Sequence, residues 1–212
     1  MVRVKDPAVR SLLIERAAQM LRAREPITLR ALVAGTGVST MAVYTYFEGM
    51  DGVWKAVRQE GFTRLAASLA RVATTRDPVR DLAALGAAYV SNAEAGPDIY
   101  RTMFDAEVEL EDLAAADASL QILVDAVARG KTTGRFSDAT DPLDLATQTW
   151  VIGHGLASLT VTGPLPREAL AYAVPMLTAL FINAGDEPAR CRPSVEQGWT
   201  GHKDTRHEDA SH

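Results

Sequence analysis

Apolar residues recur along this chain at intervals of three and four, the spacing that lays them on one face of an α-helix, and the alternation of a half-buried strand is nearly absent. Ala and Leu dominate, while Val, Ile and Thr are scattered at helical spacing, so the expected class is all-α. A first helix is expected from Asp6 to about Arg24, with Pro7 in its first turn, Leu12, Leu13, Ala17, Met20 and Leu21 on one stripe, and Pro26 as its stop. Thr28 reads as the N-cap of a short helix ending near Gly35 to Gly37, and Ser39 as the N-cap of another running to about Phe47. A longer helix follows from about Asp51 to Val72, with Val53, Trp54, Val57, Phe62, Leu65 and Leu69 at its apolar positions. Further helices are expected over 78–95, 97–105, 112–130, 142–162 and 167–184, punctuated by Gly96-Pro97, Gly130, Asp141-Pro142 and Gly163-Pro164.

This order suggests a three-helix head over residues 1–50, a larger helical body over 51–184 and a polar tail over 185–212. Asp77-Pro78 is a helix start and the candidate point at which the head's last helix gives way to the body proper. The tail is rich in Pro, Gly, Asp, Glu and His, and this composition predicts disorder.

With 212 residues and a hydrophobic fraction of 47%, the chain can bury a real core. Its opening, MVRVKDPAVR, is charged and is followed by no apolar run of signal-peptide length, so the cytoplasm is the expected compartment. The lone Cys191 excludes an internal disulfide and, in a polar segment, points to neither a metal cluster nor a nucleophile. The net charge of -5 hides an asymmetry. Residues 1–60 carry nine Lys or Arg against six Asp or Glu, a balance of +3, leaving thirteen against twenty-one, or -8, for the remainder. Phosphate neutralisation by Lys and Arg drives most non-specific DNA affinity, so the positive end is where a DNA-binding head would lie.

Chemistry concentrates in Thr28–Phe47, TLRALVAGTGVSTMAVYTYF, where two short helices are joined by Thr36-Gly37-Val38 and Gly37 suits the positive φ such a turn requires. Val38, Val43 and Phe47 are placed to pack inward, while Ser39, Thr40, Tyr44, Thr45 and Tyr46 present hydroxyls outward. Hydroxyls and the backbone N–H groups at a helix start donate to phosphates, and Thr40, Met41 and Ala42 suit base edges or thymine methyls. Spacing alone leaves open a Tyr-rich packing helix instead.

The run Thr28 to Val57, TLRALVAGTGVSTMAVYTYFEGMDGVWKAV, resembles the helix-turn-helix signature of the TetR family of transcriptional regulators. The matching features are Thr28, the Gly37-Val38-Ser39 turn, the Ala42-Val43-Tyr44 and Tyr46-Phe47 pattern, and the long helix opening near Asp51. The resemblance implies a regulator, most often a repressor released from a near-palindromic operator by a small molecule. It places Thr40, Met41 and Ala42 at base-reading positions and Thr28, Ser39, Tyr44, Thr45 and Tyr46 at backbone-contacting ones. Three residues depart from the signature: Met50 stands where the family usually has a phosphate-contacting lysine, Val33 replaces a small alanine, and Gly35 weakens the first short helix. The missing cation keeps a second reading open, an all-helical small-molecule carrier or sensor with impaired DNA binding.

In the body, Leu145–Pro166 and Ala169–Gly185 contain no Lys, Arg, Asp or Glu. Thr147, Gln148, Thr149, His154, Ser158, Thr160 and Thr162, with Pro175 in the second stretch, argue against a membrane hairpin. A homodimer through the helices near 142–162 and 167–184 is expected, as a four-helix bundle in which Gly153, Gly155 and Ala157 allow close approach. Trp150 and His154 share a helical face, and Trp150-x-x-x-His154-Gly155 resembles the Trp-His-Gly pattern of one TetR C-terminal subgroup. With Tyr89, Asn92, Tyr100, Met103, Phe104 and Gln148 they form the candidate ligand-binding set, against the plainer alternative of core aromatics and a hydrogen-bonded interface histidine. The acidic run Asp105 to Asp112 is expected to be a solvated face, and His202, His207 and His212 define no metal geometry.

Enzyme signatures fail on inspection. Gly130-Lys131-Thr132 ends like a phosphate-binding loop, but Asp125 occupies the required first glycine and a helix rather than a strand precedes it. There is no Gly-x-Ser-x-Gly and no His-Glu-x-x-His, so no catalytic residue, metal or cofactor is expected.

Overall fold

The structure, a computed structural model, describes the backbone of residues 6–104, 110, 112 and 114–208, and the side chains within these up to residue 200. Every regular element among the described residues is a helix: α1 Pro7–Ala23, α2 Leu29–Val33, α3 Thr40–Phe47, α4 Met50–Ala70, α5 Pro78–Ala95, α6 Pro97–Met103, α7 Ala114–Thr132, α8 Pro142–Ala157, α9 Ala173–Asn183 and α10 Pro188–Glu208. A π turn, Ser158–Thr162, follows α8, and a 3₁₀ segment, Arg167–Tyr172, precedes α9. Two compact units result, one of Met1–Arg64 with Gly96–Ala115 and one of Leu65–Ala95 with Ala116–His212. They do not follow the expected boundaries at 50 and 184: α4 leads from the first unit into the second, and α6 belongs with the first.

In the first unit, Asp6 caps α1 by accepting from the Ala8 N–H at 2.9 Å, and Arg24 ends it in the left-handed conformation at φ 54°. Of the expected stripe, Leu13, Ala17 and Met20 are fully buried, whereas Leu12 faces solvent at 44% exposure, because a helix at the edge of a small unit has only one covered side. Helices α2 and α3, five and eight residues long, are too short to persist alone in water. Their stability comes from Leu32, Val43 and Phe47, buried in one cluster with α1 and with Val53, Ala56 and Val57 of α4. Each such side chain contributes about 1.5–3 kcal/mol on full burial. Helix α2 stops at Val33, earlier than expected, and the chain turns through Gly35 and Gly37 at φ 74° and 73°, a backbone that glycine adopts without a Cβ clash.

The second unit is organised around α5, which buries residues on most of its sides, among them Leu82, Leu85, Tyr89 and Val90. Helices α8 and α10 pack against it, and α9 packs against both of those. A buried ionic cluster fixes the N-terminus of α5. Asp77 accepts from the Val79 and Arg80 N–H groups at 3.1 and 3.2 Å and from an Arg135 guanidinium N–H at 2.6 Å. Arg135, 4% exposed, also makes a two-pronged pair with Asp186 at 2.6 and 2.8 Å, and Ser194 of α10 donates to Asp77. Burial alone would raise the Asp77 pKa; the Ser194 hydroxyl, the Arg80 amide, the Arg135 charge and the Val79 amide outweigh it, and the carboxyl sits below its ordinary value. Asp81, one turn on, accepts from Thr75 and pairs with Arg129 at 2.8 Å.

The expected disordered tail is a correction. From Pro188 the chain forms α10, and Cys191, Val195 and Trp199 make a buried stripe four residues apart that lies against α5 and α9. Composition concealed this spacing. Gly198, counted towards disorder, is where α10 passes close against the backbone of α5, since a Cβ there would collide with the Arg80 carbonyl oxygen. Cys191 is a core residue rather than a surface one, and burial, with Asp186 beside it, pushes its thiol up to about 12. The side chains of His202, His207 and His212 and most of the run Asp105–Asp112 lie outside the described residues.

Candidate nucleic-acid interface and ligand-binding residues

Helix α3 is the second helix of the helix-turn-helix, and its two faces are sharply divided. Val43 and Phe47, at 0% and 4% exposure, anchor it to the first unit's core. Met41 and Tyr44, at 67% and 51%, project outward, and Thr45 is exposed beside them. These three are spaced i, i+3 and i+4, one stripe on the side opposite the core. Ser39 has the extended backbone of an N-cap, φ -81° and ψ 156°, yet its hydroxyl makes no capping hydrogen bond, which leaves the first N–H groups of α3 without a side-chain acceptor there. Thr40 and Ala42 are half-buried at the sides of the stripe.

The remaining predicted contacts carry structural duties as well. Thr28 caps α2, its Oγ1 accepting from the Ala31 N–H at 3.2 Å. Thr45 Oγ1 donates to the Met41 carbonyl at 2.9 Å, so its hydroxyl keeps only acceptor capacity for a partner. Tyr46 is half-buried, and its Oη accepts from the Asp6 N–H at 2.8 Å, tying α3 to the start of α1. Met50, in place of a cation, is half-buried against the same core as the first residue of α4.

The eight candidate ligand residues divide between the units. In the first, Tyr100 and Met103 are buried and Phe104 is half-buried, with Phe104 5.2 Å from Tyr100 and 5.7 Å from Phe62 between ring centroids. In the second, Tyr89 Oη lies 2.8 Å from His154 Nδ1, and the Trp150 ring lies 5.6 Å from the same imidazole between centroids, tilted by 39°. Burial lowers the His154 pKa and so favours the neutral ring. Asn92 is half-buried and Gln148 exposed. An open cleft of about 240 Å³ in the second unit, between the end of α4, α5 and α7, is lined by none of these eight; Leu69, Leu85, Ile122, Asp81 and Arg129 are among its walls. Spacing arguments missed it because its walls come from three segments up to sixty residues apart in the chain.

The nearly uncharged α8–α9 region presents Leu143, Val151, Leu159, Leu165, Tyr172 and Met176 to solvent. The expected role of its small residues needs correcting: Gly153 and Ala157 are buried, with Gly153 turned towards Tyr89 of α5, so they serve packing within the unit, and Gly155 alone of the three faces open space. No helix among the described residues is long and apolar enough to cross a membrane.

These features define the class of an all-helical protein with a helix-turn-helix head, and the comparisons refine it. Residues 82–180 match the family model of the tetracyclin repressor-like C-terminal domain. The likeness to the TetR family read in Thr28–Val57 is thus joined by a likeness of most of the body to the C-terminal domain of tetracyclin repressor-like proteins. No curated protein matches the chain. Among solved structures it is similar to a protein of unknown function from Rhodococcus sp. RHA1, at 25% identity over 84% of this chain and 95% of that one, with a TM-score of 0.68. It is also similar in fold to the TetR family transcriptional regulator PfmR from Thermus thermophilus (18% identity, 82% and 99% covered, TM-score 0.60). The fatty acid degradation regulator FadR from Bacillus halodurans is a third such structure (16%, 84% and 97%, 0.66).

Proposed function

We propose that the chain is a DNA-binding transcriptional regulator, a homodimeric cytoplasmic repressor that leaves its operator when a small molecule binds the body. The observation that carries this is the division of α3, whose inward Val43 and Phe47 are core while Met41, Tyr44 and Thr45 form an outward stripe without a packing role. Tyr44 and Ser39 would contact phosphates, Thr40, Met41 and Ala42 base edges, and Thr28, Thr45 and Tyr46 would support backbone contacts from their structural posts. The exposed apolar residues of α8 and α9 would be covered by a second copy, which sets two α3 helices about 34–36 Å apart for a near-palindromic site. The ligand, entering beside Tyr89, Trp150 and His154, must favour the form that binds DNA less tightly, since equal affinity for both forms shifts nothing.

Footprinting on the DNA upstream of the chain's own gene tests this reading. Saturable protection of one near-palindromic segment supports a regulator; no site-specific protection even at low salt supports the carrier reading that Met50 favours. Val151→Arg, on the exposed side of α8, is expected to convert a dimer to a monomer in sedimentation and to abolish the paired footprint.

A further inference from the structure

Base recognition by a helix in the major groove has a limited chemical vocabulary. Guanine is read by Arg or Lys, adenine by Asn or Gln, and the cytosine amino group by Asp or Glu; Ser and Thr hydroxyls contact several bases with little discrimination, and the thymine C5-methyl is read by apolar contact. Residues 39–47, Ser-Thr-Met-Ala-Val-Tyr-Thr-Tyr-Phe, contain none of the first six side chains. What the helix offers instead is Met41, the most exposed large apolar residue described in the chain, at 67%. It stands on the second residue of α3, next to the partly exposed Ala42 and one turn before Tyr44 and Thr45. The Thr45 hydroxyl proton is already spent on the Met41 carbonyl. An unbranched thioether chain with three rotatable bonds adapts to a methyl-lined surface, and left in water it has no stabilising role in the folded chain.

We infer that α3 reads its operator chiefly through thymine C5-methyl groups, with Met41 as the specificity-determining contact. The inference rests on the proposed DNA-binding function and names the chemistry of its partner.

The test uses the full chain and duplexes selected by it from a random pool. The enriched duplex is then rebuilt with each thymine replaced singly by deoxyuridine, which removes the methyl and leaves the pairing intact. At one position in each half-site the substitution is expected to weaken binding about 4-fold, the worth of one buried methyl group. Met41→Ala, at a solvent-exposed position, should fold as the parent does and bind the thymine and uracil duplexes equally. Enrichment of a sequence for which no uracil weakens binding, or a uracil penalty that persists undiminished in Met41→Ala, overturns the inference and leaves regulation standing. A pool that yields no enriched sequence overturns the DNA-binding function itself, and the inference with it.

Discussion

In the first unit, α2 and α3 hold their places through a few buried side chains and leave a large thioether and a phenol ring in water; in the second, α5 is buried on most of its sides and its first turn is locked by Arg135, Asp186 and Ser194. The difference separates recognition from stability. Outward residues of α3 have few contacts to lose, so changing them alters what the chain binds. Residues of the ionic cluster touch several helices or their connections, so changing them alters whether the unit folds.

The largest effect is expected from Arg135→Leu, which strands Asp186 and weakens the hold on Asp77. Removing one partner of a buried pair costs about 3–5 kcal/mol, readable as a lower urea midpoint at neutral pH. The same cluster sets a pH dependence. Because the folded Asp77 carboxyl lies below its ordinary 3.8, its contribution is fully present above that pH and is lost as pH falls through 3.8 towards the folded value. Asp77→Asn should flatten that acid limb of the stability curve; an unchanged limb would remove Asp77 from the acid response.

Trp199→Ala comes next. In a disordered tail it would change stability by less than about 0.5 kcal/mol, whereas a large side chain buried beside Gly86 should cost about 3–5 kcal/mol in the same unfolding measurement. Tyr44→Ala should leave the unfolding midpoint in place while weakening binding to all duplexes by roughly tenfold, the scale of one hydrogen bond to a charged group. Thr40→Ala should instead change the ranking of sequences, and a uniform loss for it would remove Thr40 from the base-reading set. The smallest effect is Met50→Lys, expected to steepen the dependence of log affinity on log salt by about one unit without altering preference. If the Tyr44 change lowered stability as much as the Arg135 change, the separation of the two regions would fail.

Most of the helix order was legible in the spacing of apolar residues, because long helices must repeat their buried face. The helix-turn-helix was legible for a second reason: a turn that needs glycine at φ 73°, a serine at the N-cap position and inward Val43 and Phe47 are all local requirements within twenty residues. The tail was misread because Pro, Gly and charge were counted while the Cys191-Val195-Trp199 spacing was not. Its order also depends on α5, more than a hundred residues earlier, which supplies the surface that α10 covers, and on Asp77 and Arg135, the charges that Ser194 and Asp186 meet.

By itself, then, the order of residues determined an all-helical chain, the position of its helix-turn-helix and the nearly uncharged character of α8 and α9, since each is written within a few turns of sequence. Only the tertiary structure decided that α10 folds, that Arg135 joins Asp77 to Asp186, that Gly153 and Ala157 face inward, and that Tyr46 is bound to the start of α1. Those outcomes depend on which distant surfaces meet, and burial there makes an unpaired charge or an empty stripe too costly to leave unmatched.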